Sequence, residues 1–161
     1  MPKISSVSAF FPAYNDAGTI ASMVVAVIRT LRSLTDDYEV IVVNDGSVDY
    51  TAEILDELSG IYPQLRVIHH PDNKGYGAAL RAGFTAGKKE WLFYTDGDAQ
   101  YDPHELTNLV NSIGDQVDIV NGYKVVRNDP FYRLIIGWIY HYFIINDFFY
   151  SIKFQPFLIP L

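Results

Sequence analysis

Apolar and polar positions along this chain fall into blocks whose period changes from one block to the next. Ile4–Phe11 is a short apolar-rich run closed by Pro12 and by Asn15–Gly18, the form of a strand running into a turn. From Ile20 the apolar positions are Ile20, Met23, Val24, Val27, Ile28 and Leu31, a spacing that predicts a helix with one buried face. Tyr38–Val43 reads as a second strand, followed by the polar turn Asn44–Asp49 and a helix carrying Ile54, Leu55 and Leu58. Leu65–His69 is a third strand, Asn73–Gly77 a turn, and Ala78–Ala86 a helix whose small residues allow close packing. Trp91–Thr95 is a fourth strand and Asp118–Gly122 a fifth. Between these two, Asp102, Pro103 and Glu105 predict a helix start: a cap, a proline at the first position and a capping-box carboxylate. Leu106, Leu109, Val110 and Ile113 supply that helix with its buried face.

Strands that alternate with helices predict a three-layer α/β/α sandwich around a mainly parallel sheet. In such sheets ligands bind beyond the carboxyl ends of the strands. Asn15-Asp16 follows the first strand, Asn44-Asp45-Gly46-Ser47 the second and Asp96-Gly97-Asp98 the fourth, so three acidic turns are expected on one rim.

Composition narrows the classes. With 161 residues, 49% of them hydrophobic, the chain suits a single globular domain. Twelve Lys and Arg against nineteen Asp and Glu give a net charge of −7, and no nucleic-acid partner is expected of so acidic a chain. The absence of cysteine excludes disulfides and thiolate metal sites. The N-terminus, MPKISSVSAFFPAYND, lacks the apolar stretch of a signal peptide, so a cytoplasmic location is expected.

The candidate chemistry sits on the acidic rim. Asp96 and Asp98 can hold one hard cation between them, or divide a metal and a sugar hydroxyl; Mg²⁺ or Mn²⁺ would take such oxygen ligands together with substrate phosphates. Asp45 can accept the N–H donors of a nucleobase, while Ser47 reads as the cap of the next helix. Asp16 is either the cap of the first helix or a ligand contact. Asn73-Lys74-Gly75-Tyr76-Gly77 is either a plain turn or a loop whose N–H groups face an anion. The four histidines, His69, His70, His104 and His141, show no metal-ligand spacing and read as structural or surface residues.

Taken together, FFPAYNDAGTI, VVNDGSVDYTAEIL, NKGYGAALRAGFTAG and FYTDGDAQYDPHEL make the chain resemble family 2 glycosyltransferases of the polyprenyl-phosphate, dolichyl-phosphate mannosyltransferase-like type. The likeness runs from about Ile4 to about Tyr140. It implies an A-type glycosyltransferase fold for nucleotide-diphospho-sugars and transfer, with inversion, from a UDP- or GDP-linked sugar to a polyprenyl phosphate. It implies Pro12, Tyr14, Asp16, Asp45, Gly75 and Asp96 around the donor nucleotide, Asp98 with Asp96 at the metal, and Gln100 beside the acceptor. A lipid monophosphate is already anionic near neutral pH, so the acceptor needs no general base.

Three features depart from the family. Asp16 stands where Glu is usual, and Asn44 where a second Asp is common. From about residue 146 the tail INDFFYSIKFQPFLIPL replaces the expected acidic and basic acceptor-side segment, as in a truncated or altered C-terminus. Residues 1–123 are thus expected to form the donor domain and 124–161 an aromatic-rich segment. Within it Leu134–Ile145, too short to span a bilayer, is either a buried helix or an interfacial one with Trp138 and Tyr140 at headgroup level, preceded by Lys124, Arg127 and Arg133. A membrane surface and a second copy of the chain are its candidate partners. Two rivals stand beside this reading. One is a domain that binds nucleotide-sugar without turnover. The other is an aspartyl phosphohydrolase, disfavoured by Ala99 and Gln100 after the second Asp and by the motif's place on the fourth strand.

Overall fold

The computed structural model describes residues 4–96, 102–114 and 117–122, and the backbone of 157–160. These belong to one unit, Met1–Gly122 with Pro156–Leu161. The element order is β1 (Ser6–Ala13), α1 (Ile20–Leu34), β2 (Asp37–Asn44), α2 (Thr51–Ile61), β3 (Leu65–His69), α3 (Tyr76–Ala86), β4 (Trp91–Tyr94), a 3₁₀ turn at Pro103–Glu105, α4 (Leu106–Asn111), β5 (Val120–Asn121) and β6 (Phe157–Pro160).

The sheet order is β3-β2-β1-β4-β6-β5. The first four strands are parallel, as the alternation of strand and helix predicts. β6 then runs antiparallel to both β4 and β5. The expected fifth strand therefore exists but is shorter, and among the described residues it meets the sheet through Phe157–Pro160. Within the described residues this is a mainly parallel sheet with helices on both faces.

Period-two alternation sends each strand's side chains to two faces. On one face Val7, Ala9 and Phe11 of β1 and Val40 and Val42 of β2 pack under α1, α2 and α4, through Ile20, Val24, Ile28, Leu55 and Leu106. On the other, Phe10, Ile41, Val43, Leu92 and Tyr94 pack under α3 through Ala79 and Leu80. All six apolar positions expected of α1 are buried. The start of the fourth helix differs in detail: Asp102 caps the N–H of His104 at 2.9 Å, but the first turn after Pro103 is 3₁₀.

α3 lies close because Gly83 faces the ring of Phe10. A Cβ built at Gly83 would stand 2.1 Å from Phe10 Cδ2, and that ring is held by Phe84 (4.9 Å between centroids) and Tyr94 (5.1 Å). Gly83→Ala is expected to destabilise the domain by about 2 kcal/mol, the usual size of an overpacking penalty. Urea midpoints measure it, and adding Phe10→Leu should recover part of the loss. An unchanged midpoint would mean that α3 can lift freely from the sheet.

The chain places β2 and β3 on one side of β1 and β4 on the other, so the connection reverses between β1 and β4. That reversal is where open α/β sheets bind ligands.

Candidate functional site

Three loops at the carboxyl ends of the strands are joined before any ligand arrives. Asn15 takes the left-handed conformation at φ +57°, which Asn tolerates through local hydrogen bonding. Its N–H donates to Ser47 Oγ at 2.9 Å, and its Oδ1 accepts from the N–H of Val48 at 2.9 Å. The next two N–H groups continue the seam, Asp16 to Thr51 Oγ1 (2.9 Å) and Ala17 to Asp49 Oδ2 (3.1 Å).

The expected cap is corrected here. Ser47 is occupied by Asn15, and it is Asp49 that accepts at the start of α2, from the N–H (3.0 Å) and hydroxyl (2.6 Å) of Thr51. The Thr51 hydroxyl, with the N–H groups of Thr51 and Ala17, holds the Asp49 carboxyl below its ordinary range. Asp16 does not cap α1 with its side chain either: Thr19 is the N-cap, and Asp16 Oδ2 accepts from the N–H of Tyr14 at 2.9 Å.

Asp45, at the end of β2, is 4% exposed. Its Oδ1 accepts from His70 Nδ1 at 2.5 Å and from the N–H of Lys74 at 3.1 Å, and its Oδ2 from the N–H of Gly75 at 2.8 Å. Burial alone would push this carboxyl up. The bond from His70 and the two backbone donors outweigh it and hold the group below its ordinary value. An ionised carboxylate only accepts, so His70 must carry its proton on Nδ1. The loop at 73–77 thus does present N–H groups to an anion, and the anion is Asp45.

Asn44 is also buried; its Oδ1 accepts from the N–H of Ser47 and its Nδ2 faces His69 Nδ1 at 3.0 Å. His69 Nε2 faces Asp56 Oδ1 at 3.1 Å. The amide at position 44 thus faces His69 Nδ1, while Nε2 faces Asp56.

Asp96 follows β4. Its Oδ1 accepts from the hydroxyls of Tyr76 (2.6 Å) and Tyr94 (2.5 Å), and the two hydroxyls also touch each other. Burial, then the neighbouring Asp96, pushes the Tyr94 phenol far up, so it stays a donor at any physiological pH.

A cleft of about 310 Å³ opens over these three strand ends, lined by Pro12, Tyr14, Asp16, Asp45 and Asp96. Asn73 and Tyr76 close it from the α3 side. Five of the six residues expected around the nucleotide are thus brought together, and the sixth, Gly75, bonds to Asp45 beside them. Asp98 and Gln100 lie outside the described residues, as do Leu134–Ile145, Lys124, Arg127 and Arg133. Among the described residues no cluster of three or more metal-ligating side chains occurs. The donor chemistry nevertheless fits a hard cation: Asp96 keeps Oδ2, and Mg²⁺ commonly takes only one or two carboxylates beside substrate phosphates.

Sequence reasoning missed His70, Tyr76 and Tyr94. Tyr94 left a signal, since a tyrosine inside a buried strand needs a partner for its hydroxyl. His70 left none, because its bond to Asp45 spans two loops.

The family described as Glycosyl transferase family 2 matches residues 8–158, ending within β6. The chain belongs to glycosyl transferase family 2. It is 32% identical over 133 residues to an undecaprenyl-phosphate 4-deoxy-4-formamido-L-arabinose transferase of Proteus mirabilis, covering 81% of this chain and 40% of that one. It is 33% identical over 136 residues to a dolichol-phosphate mannosyltransferase of Pyrococcus furiosus, covering 81% and 38%. Among solved structures it is similar to a mannosyltransferase from Pyrobaculum calidifontis in complex with GDP-Man and Mn²⁺, at 26% identity and a TM-score of 0.64, covering 80% of this chain and 38% of that one. The chain therefore spans about two fifths of the length of these relatives. Among the described residues no helix of this family 2 member is long and apolar enough to cross a membrane.

Proposed function

We propose that the protein is a metal-dependent, inverting glycosyltransferase that moves a sugar from a nucleoside-diphosphate sugar to a polyprenyl phosphate. The observation that carries this reading is the cleft at the chain reversal, where Asp45 and Asp96 line one volume beside Asp16. The names of the relatives from Proteus and Pyrococcus, both acting on polyprenyl phosphates, support the acceptor class.

In this reading Asp45 receives an N–H of the base, and Pro12, Tyr14 and Asp16 shape the nucleoside end of the cleft. Asp96 and Asp98 would hold Mg²⁺ or Mn²⁺, which, when bound, supplies positive charge to the departing diphosphate. Tyr76 and Tyr94 fix the orientation of Asp96 by donating to Oδ1, leaving Oδ2 free. An oxygen of the lipid phosphate attacks the anomeric carbon while that carbon's bond to the diphosphate breaks, the electron pair leaving with the nucleoside diphosphate. Configuration inverts. No base is required, because the acceptor oxygen already carries charge; Gln100 stands on the acceptor side. The reaction belongs at the cytoplasmic face of a membrane, with Leu134–Ile145 as the segment that meets the lipid surface.

Calorimetric titration with UDP, GDP and their sugar conjugates, with and without Mn²⁺, tests the donor half. One nucleotide should bind in a metal-dependent way, and Asp98→Ala should weaken it by roughly a hundredfold or more, since even changes behind a metal ligand cost 10–100-fold. Binding that ignores both Mn²⁺ and Asp98→Ala would overturn the proposal.

A further inference from the structure

Nucleobases present different edges to a carboxylate. Uracil and thymine offer one ring N–H between two carbonyls. Guanine offers two donors side by side, N1–H and N2–H₂, which call for both oxygens of the carboxylate. Cytosine and adenine have an unprotonated ring nitrogen where uracil and guanine have N–H.

An ionised carboxylate has about four acceptor positions. At Asp45 three are filled from within the protein: both on Oδ1, by His70 Nδ1 and the Lys74 N–H, and one on Oδ2, by the Gly75 N–H. One position on Oδ2 remains, on a side chain that lines the cleft. The same Gly75 N–H is shared with Asn73 Oδ1 at 2.9 Å, so the Asn73 amide lies against the Asp45 carboxylate. Since the Asn73 oxygen takes that N–H, its NH₂ is the end left to donate, and Asn73 also lines the cleft. The site thus sets a single acceptor beside a donor.

We infer that the donor carries a base with one ring N–H flanked by carbonyls, uracil or thymine, and that His70 enforces this choice by filling Oδ1. The inference rests on the proposed nucleotide-sugar reading. One N–H meets the free position on Asp45, and an adjacent carbonyl accepts from Asn73. Guanine would bring a second donor to an oxygen that is already full, and burying that donor unpaired is the mismatch that polar sites reject strongly. The mannosyltransferase from Pyrobaculum solved with GDP-Man is similar in fold, so the acceptor count at Asp45, and not the fold, makes the distinction. His70 is a positioning residue here, touching no ligand itself.

The test is calorimetric titration of the chain, in the presence of Mn²⁺, with UDP, GDP, CDP and UDP methylated at N3. UDP should bind about tenfold to a hundredfold more tightly than GDP or CDP, the range set by one unsatisfied buried polar group, and N3-methylation should lose a similar factor. In His70→Ala the preference for UDP over GDP should shrink, while His70→Asn, whose side-chain N–H stands near the place of Nδ1, should keep it. Rescue by Asn separates positioning from mere support of the fold. GDP or CDP binding as tightly as UDP, indifference to N3-methylation, or an unchanged UDP-to-GDP ratio in a folded His70→Ala overturns the inference and leaves the glycosyltransferase reading standing. If none of the four nucleotides binds the folded chain, that reading fails and takes the inference with it.

Discussion

Asp45→Ala is expected to lose the nucleotide binding proposed above and a large part of the domain's stability in one step. Removing the carboxylate leaves His70 Nδ1 and the Lys74 N–H without their acceptor in a largely buried place, and the Gly75 N–H with its shared bond to Asn73 Oδ1 alone. Each orphaned donor costs about 1–3 kcal/mol where water cannot reach it, and the loop can rehydrate in part, so a net loss of roughly 2–4 kcal/mol is expected. Chemical denaturation measures it. A loss below the error of the method would mean that the loop at 72–75 is held from elsewhere.

The same bonds set a pH dependence. The carboxyl of Asp45 lies below its ordinary value of 3.8 in the folded state, by the balance of burial against the three donors. A carboxyl depressed on folding stabilises the protein fully above the unfolded value, and that stability drains away as the pH falls through the folded one. Acid titration of the denaturation midpoint should therefore show a decline below 3.8 that is smaller in Asp45→Asn, whose side chain does not titrate. Parallel curves for the two proteins would sink the assignment.

Gly46→Ala is expected to unfold much the same region by a different route. Gly46 sits at φ +68°, where a side chain is strained, and a Cβ there would stand 2.3 Å from the carbonyl carbon of Asp72 and 2.4 Å from the N of Asn73. Those are backbone atoms and cannot rotate aside. Left-handed backbone costs an alanine about 1 kcal/mol, and the collision adds about 1–3 kcal/mol, giving a penalty of roughly 3 kcal/mol. Because the displaced atoms lead directly to Lys74 and Gly75, nucleotide affinity should fall along with the melting temperature. Melting unchanged and affinity intact would show that the loop can move away without consequence.

Much of the fold was legible because it is written in local periods. The six buried positions of α1 follow the helical spacing, and β3 was bounded to the residue by its own apolar run. What was not legible depends on partners far away in the chain. Ser47 has the composition of a helix cap, but Asn15 reaches it first, and Asp49 takes the role. Phe157–Pro160 carries no alternation that announces a strand; its place is set by the open edges of β4 and β5. The rim of acidic turns could be expected from topology, and the cleft gathers Asp16, Asp45 and Asp96 there. His70 and Asn73, which decide what Asp45 can still accept, have no such rule behind them.

The position of β6 bears on the order in which the protein can be made. β4 exposes its outer edge, with Trp91 to Tyr94, from the moment it joins β1, and the strand that covers it comes from far later in the chain. Until Phe157–Pro160 is made, that edge lacks the strand that pairs with it in the folded sheet. An edge of that kind is a template for pairing with another chain. Ribosome-bound intermediates that stop before Phe157 should therefore be the species on which chaperones act and at which aggregates begin. A change at β6, which pairs on both of its edges, would lower the yield of folded protein as well as its stability.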